Sequence, residues 1–348
     1  MQSHNSAKYQ ALLLVVVIIA SVYAVRLFPF FGNADTSVPS PKPSSMAQVL
    51  GNASPALSSD QSNRQQGDGT PDAGAQVAQP KATEDSIAGS PSLPSSAVAA
   101  CPAVGAGLYR AQDMATGRVL FSHNEGERWP IASVSKLITA IVATNVLKQD
   151  SVITITPEIE AAVGNDHTLS AGESYTVHDL LNIMLTISSN DAAYALADAY
   201  GLPGFVNQMN EVAQTVGMDQ TTFYEPSGLS YLNQSTLGNI AKLLQYIYHS
   251  YPAIFAITRQ PKFVAINQTT NKPKTFSNID FYAGEPVFVG GKTGYIDQSG
   301  ENLVGIFNYS GGKVIAGVFD SADRFKDMNA LLRCAAAAIS GASSTPQL

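Results

Sequence analysis

The sequence predicts a mixed α/β fold of the α+β kind: an antiparallel sheet flanked by helices, plus an all-helical lobe. The first observation is the order of patterns. Strand-like stretches open the folded region, helical stretches fill its middle, strands return, and a helix closes it. That order is expected when both ends of a chain build one sheet around a helical insertion. The second is composition: aromatics and periodic apolar residues are concentrated after Cys101 and persist to about Ile339, enough chain for one sizeable core.

The elements follow in order. Gly107–Gln112 and Arg118–His123 flank Asp113-Met114-Ala115-Thr116-Gly117, a hairpin with a glycine in its turn. Leu137, Ile138, Ile141, Val142 and Val146 recur at helical spacing and predict a buried helix over Val134–Lys148. Val152–Thr156 reads as a short strand. His178–Ile187, Ala192–Ala199 and Phe205–Val216 read as helices, and Ser235 is expected to cap another reaching His249. Strand character returns at Phe263–Ile266, Pro286–Gly290, Asn302–Tyr309 and Lys313–Phe319. Ser310-Gly311-Gly312 is expected to turn the last hairpin, and Ser321–Ile339 to form the closing helix.

The domain is therefore expected over residues 101–340, with 341–348 as a flexible tail. Ahead of it, residues 1–10 read as a short cytoplasmic tail, 11–31 as a transmembrane signal-anchor and 32–100 as a disordered linker rich in Ser, Pro, Ala and Gly. A cleaved signal peptide ending near Ala20–Ala24 is the other reading of the apolar segment. The anchor is preferred because the apolar run continues from Tyr9 to Phe31. Lys8 and Arg26 lie on opposite sides of the almost wholly apolar stretch Ala11–Val25, so flanking charge does not orient it. Either reading exports the domain: to the outer side of the cell membrane on an anchor, or as a secreted protein. A linker of this composition reaches roughly 45 Å, which suits a domain working in a layer beyond the membrane.

Cys101 opens the folded region and Cys334 lies in its closing helix. An exported domain permits a disulfide between them; two inert thiols is the alternative. No metal-ligand spacing occurs, the five histidines are scattered, and no cofactor is implied. A net charge of -7 argues against nucleic acid as a partner.

Three short polar motifs carry the chemistry: Ser133-Val134-Ser135-Lys136, Ser188-Ser189-Asn190 and Lys292-Thr293-Gly294. Residues three apart on a helix share a face, so the Lys136 amine can reach the Ser133 hydroxyl. A serine is a weak nucleophile until a base takes its proton, and a lysine serves only when neutral. Burial and a second cation, here Lys292, both favour that form. Ser188 can relay a proton and Asn190 can hold a substrate amide. Lys292 and Thr293 can meet a carboxylate, with Gly294 beside them in the substrate-binding segment, Gly290 and Gly291 allowing close backbone approach, and the Tyr295 N–H near the reacting carbonyl. Each motif alone has a plainer reading, such as a helix cap, a solvated lysine or a turn. All three in this order read as a serine acyl-transfer site.

With its flanks, the region from Gly107 to Ala336 resembles the serine D-Ala-D-Ala carboxypeptidase and endopeptidase family, the low-molecular-mass penicillin-binding proteins. The residues that carry the resemblance are Pro130-Ile131-Ala132-Ser133-Val134-Ser135-Lys136-Leu137, Ser188-Ser189-Asn190-Asp191-Ala192-Ala193 and Gly291-Lys292-Thr293-Gly294-Tyr295. Phe223-Tyr224-Glu225-Pro226-Ser227-Gly228-Leu229-Ser230, followed by Asn233 and Ser235-Thr236, is similar to the branch containing DD-endopeptidases. The resemblance implies a β-lactamase/transpeptidase-like fold, peptidoglycan stem peptides as substrate and β-lactams as acylating inhibitors. Ser299-Gly300-Glu301-Asn302-Leu303-Val304 departs from it by being more polar than the family's usual stretch. A serine β-lactamase with Glu225 as deacylating base is the first alternative, and a catalytically silent tethered cell-wall binding module the second.

Overall fold

The computed structural model describes residues 101–162, 168–309 and 312–342. The expected tail, anchor and linker over 1–100, the Ser310-Gly311 turn and residues 343–348 lie outside the described residues. No helix among the described residues is long and apolar enough to cross a membrane.

Strands β1 (Leu108–Asp113), β2 (Val119–His123), β9 (Phe288–Ile296), β10 (Gly300–Tyr309) and β11 (Gly312–Ser321) form an antiparallel sheet in the order β2-β1-β11-β10-β9. Leu108 pairs with Phe319 and Asp113 with Val314, so the two ends of the domain meet at its centre. The closing helix, α8 (Arg324–Ala342), covers one face: Met328, Leu331 and Ala335 pack with Tyr109, Phe288, Leu303, Phe307 and Val318. Helix α6 (Leu237–Ser250) covers the other, Leu237 lying so close to Gly317 that a Cβ there would sit 2.6 Å from its side chain. With both faces covered, the middles of β10 and β11 are buried at successive positions, hence their apolar runs without alternation.

The helical lobe surrounds α1 (Lys136–Val146), whose residues from Lys136 to Ala143 are all buried. Around it lie α2 (Pro157–Ala162), α3 (Val177–Thr186), α4 (Asn190–Asp198) and α5 (Leu202–Val216). Helix α7 (Pro252–Thr258) then leads to the hairpin β7 (Lys262–Asn267) and β8 (Lys272–Ser277). Two-residue strands β3 (Trp129–Pro130) and β6 (Gln234–Ser235) pair with each other, as do β4 (Val152–Thr154) and β5 (Ser174–Thr176).

Three expectations are corrected. The first helix starts at Lys136, not Val134, because Ala132–Ser135 form a tight 3-10 turn entered through Ala132 at φ 47. Ser235 does not cap α6: it pairs with Trp129 and its hydroxyl bonds to that of Thr221, so Thr236 is the cap and accepts from Asn239 N. The strand expected to end at Gly290 instead runs through the third motif to Ile296. Gly291 is a strand residue needed for close approach, since a Cβ on it would lie 2.1 Å from the Val304 carbonyl oxygen.

Cys101 and Cys334 are joined by a disulfide, with Cα atoms 6.2 Å apart. The bond fastens the chain ahead of β1 to α8 across 233 residues of sequence. A loop that long is strongly restrained in the unfolded chain, so the double variant C101S/C334S is expected to lose roughly 3–5 kcal/mol of stability. Urea unfolding checks this; an unchanged midpoint would mean that the bond contributes nothing.

Candidate active site

The sequence motifs converge on one cleft of about 270 Å³, lined by Ser133, Ser188, Asn190, Thr293, Gly294 and Tyr295, among others. The helical lobe supplies the first three of these, and the edge strand β9 the others.

Ser133 sits in the 3-10 turn and Lys136 at the first position of α1. The Lys136 side chain is fully buried, with its amine 2.8 Å from Ser133 Oγ. The same amine donates to Asn190 Oδ1 at 2.7 Å and to the Ser227 carbonyl at 2.6 Å. The amine thus lies on the Ser133 hydroxyl while bonded to two fixed acceptors, and in its neutral form its lone pair can take the serine proton. Ser189 caps α4 by accepting from Ala192 N at 3.1 Å, which fixes Asn190 in the first turn beside the amine. The cap reading and the site reading of this motif thus hold together. Asn190, expected to hold a substrate amide, also holds Lys136.

Ser188 is in the left-handed region at φ 64, a strained setting for a non-glycine residue. Its hydroxyl accepts from Lys292 Nζ at 3.0 Å, and the same amine reaches the Thr293 carbonyl at 2.9 Å. Lys292 is buried, and that burial, with repulsion from Lys136 and Arg324, holds its pKa well below the usual lysine range, while Asp280 opposes the shift. Gly294 faces the nucleophile turn: a Cβ there would lie 2.9 Å from Ile131 O and 3.1 Å from Ser133 N.

A family model described as D-alanyl-D-alanine carboxypeptidase matches residues 95–323. The chain belongs to this family. It is 34% identical over 212 residues to the D-alanyl-D-alanine endopeptidase of Haemophilus influenzae, an alignment covering 59% of this chain and 71% of that one. Among solved structures it is similar to a D-alanyl-D-alanine carboxypeptidase of Mycobacterium tuberculosis, with 26% identity, a TM-score of 0.63, and 72% of this chain and 96% of that one covered. The Streptomyces K15 DD-transpeptidase shares the fold at 23% identity and a TM-score of 0.62, over 70% of this chain and 100% of that one. The expected fold class holds.

Some functional residues carry no local signal in the sequence. Arg324, at the start of α8, lines the cleft; it donates to the Gly294 carbonyl at 2.8 Å and is paired with Glu301 at 3.1 Å. Trp129 donates to Ser299 O at 2.9 Å, and Asn302 to Pro130 O at 3.0 Å. The polar stretch that departs from the usual family pattern thus ties β9 and β10 to Arg324 and to the segment leading into Ser133. Gly228, at φ 88, lies against the nucleophile turn, where a Cβ would come 1.9 Å from Ala132 O.

Glu225 holds this loop rather than serving as a base. One carboxylate oxygen accepts from Ser227 N and Oγ at 2.7 and 2.6 Å. The other accepts from Gly228 N at 2.6 Å and Asn233 Nδ2 at 2.9 Å. A carboxylate so occupied has no lone pair to aim at a hydrolytic water, which counts against the β-lactamase alternative. No group of His, Cys, Asp and Glu among the described residues could hold a metal ion.

Proposed function

We propose that this family member hydrolyses the peptide bond following D-Ala in peptidoglycan stem peptides, through an acyl-enzyme on Ser133. One observation carries the reading: the buried Lys136 amine is held on Ser133 Oγ by Asn190 and Ser227, and Ser133 lines the same cleft as Ser188, Asn190, Thr293 and Gly294.

In the proposed reaction, Ser133 Oγ gives its proton to Lys136 and bonds to the D-Ala carbonyl carbon. The oxyanion is assigned to the backbone N–H groups of Ser133 and Tyr295, on the two walls of the cleft. As the C–N bond breaks, the proton passes from Lys136 to the leaving amine, with Ser188 as relay. Water then cleaves the ester and restores Ser133. Lys292, Thr293 and Arg324 bind the carboxylate of the leaving residue, and the edge of β9 pairs with the extended peptide. A β-lactam acylates Ser133 by the same first step. A silent binding module would need none of these alignments.

The anchor over 11–31 and an extracytoplasmic site for the domain belong to the same proposal. The long apolar run and the Cys101–Cys334 disulfide support it, since disulfides persist in oxidising compartments. The test is digestion of intact muropeptides followed by mass spectrometry. Loss of one alanine defines a carboxypeptidase, and conversion of cross-linked dimers to monomers an endopeptidase. Unchanged muropeptides, or cleavage that survives Ser133→Ala, would refute the reading.

A further inference from the structure

Behind the third motif lies a carboxylate the reaction does not use. Asp280, in the loop between β8 and β9, is only 7% exposed. Its backbone N–H donates to Asn278 Oδ1 at 2.9 Å, and its Oδ1 accepts from Tyr282 N at 3.0 Å. Its Oδ2 is buried and accepts no hydrogen bond from the described residues. Burying a carboxylate oxygen without a partner is unfavourable unless nearby charge compensates. That charge is close by: Asp280 and Lys292 line the same narrow space, together with Thr258, Gly291 and Thr293.

The surrounding charges define what Asp280 does. Lys292 faces two cations, Lys136 from α1 and Arg324 from α8, and one anion, Asp280. Glu301 is hydrogen-bonded to Arg324. On its other side Asp280 faces Tyr282, which in turn faces Arg333. Burial raises the Asp280 pKa, while the hydrogen bond from Tyr282 N and the charges of Lys292 and Arg324 pull it back. We propose that Asp280 is a positioning residue for Lys292: a fixed buried anion that keeps the crowded ammonium charged and seated on Ser188 Oγ. The role in catalysis rests on the reading of Lys292 as a carboxylate-binding cation.

The sign follows directly. Lys292 is charged below its depressed pKa and loses its charge as pH rises through it. Asp280 opposes that depression, so removing its charge moves the loss to lower pH. Asp280→Asn keeps an acceptor for Tyr282 N and removes only the charge. With full-length protein and a peptide ending in D-Ala-D-Ala, the alkaline limb of kcat/KM is expected to move toward neutrality in this variant. The ratio of activity at about pH 6 to that at about pH 9 is expected to rise about tenfold, as for the loss of about 1.4 kcal/mol of charge interaction. The nitrogen NMR signal of Lys292 Nζ is expected to titrate at lower pH than in the wild type.

An equal loss of kcat/KM at every pH with unchanged Lys292 titration would mean a purely structural Asp280 and overturn the proposal. If the wild type fails to cleave the peptide, the functional reading falls, and the NMR titration still decides the Asp280–Lys292 coupling. If Asp280→Asn does not fold, the wild-type Asp280 carboxyl carbon signal decides. An inflection at the alkaline titration of Lys292 supports the proposal, and its absence overturns it.

Discussion

Replacing Lys136 with methionine lowers the rate of Ser133 acylation by about 10²–10⁴-fold, the usual contribution of a positioned base. Methionine keeps much of the side-chain volume but cannot accept the serine proton. It also leaves Asn190 Oδ1 and the Ser227 carbonyl without the donor they share at 2.7 and 2.6 Å. Losing a donor to a buried acceptor costs about 1–3 kcal/mol, so the variant is also less stable. Stopped-flow acylation with a labelled penicillin measures the first effect and urea unfolding the second. Arginine at this position is expected not to rescue the rate, because a guanidinium stays protonated and its planar fork does not fit a single amine's place. Near-normal acylation in Lys136→Met would remove Lys136 from the role of base.

Gly228→Ala is the second large effect, and it removes no side chain of the site. Gly228 lies at φ 88, and its added Cβ would meet Ala132 O at 1.9 Å, Ala132 C at 2.2 Å and Ser133 N at 2.8 Å. All three are backbone atoms of the turn that presents the nucleophile, so the turn must shift. A displacement near 1 Å at a reacting group costs about 10²-fold in rate. The left-handed backbone adds about 1–2 kcal/mol of strain for alanine. Gly126→Ala is the control, since nothing lies within 4 Å of its Cβ. The same acylation assay compares them: slow for Gly228→Ala, normal for Gly126→Ala. Equal rates would show that the turn tolerates the contact.

The chemistry of the site was more legible in the sequence than its support. Ser133 and Lys136 are three residues apart, and the 3-10 turn that leads into α1 keeps residues at that spacing on one side. The second motif was ambiguous because a cap and a site use the same residue types; Ser189 caps α4 while Ser188 and Asn190 face the cleft. The sheet could be inferred from element order, because strands at both ends of a domain with a helical middle have few other ways to pair. The extent of β9 could not. Its apolar run stops at Gly290, and the closeness of Val304 O shows why Gly291 is needed inside a strand that continues.

Arg324, the Glu225 clamp and Asp280 were hidden for a different reason. Each meets its partners through specific contacts that no periodicity encodes: Arg324 reaches Gly294, 30 residues away, Glu225 folds its own loop back onto Ser227 and Gly228, and Asp280 shares a narrow space with Lys292. Glu225 was the most ambiguous of them, since a glutamate near such a site has the chemistry of a deacylating base. Its four short hydrogen bonds, from Ser227, Gly228 and Asn233, define it as part of the frame.

The central claim is that Ser133 is the acylated nucleophile of a site unsuited to fast deacylation. Mass spectrometry after exposure to benzylpenicillin tests it most directly. The account predicts a single, long-lived adduct, located by peptide mapping on the segment containing Ser133 and missing from Ser133→Ala. An adduct on another residue, none at all, or one that clears as fast as it forms would contradict it.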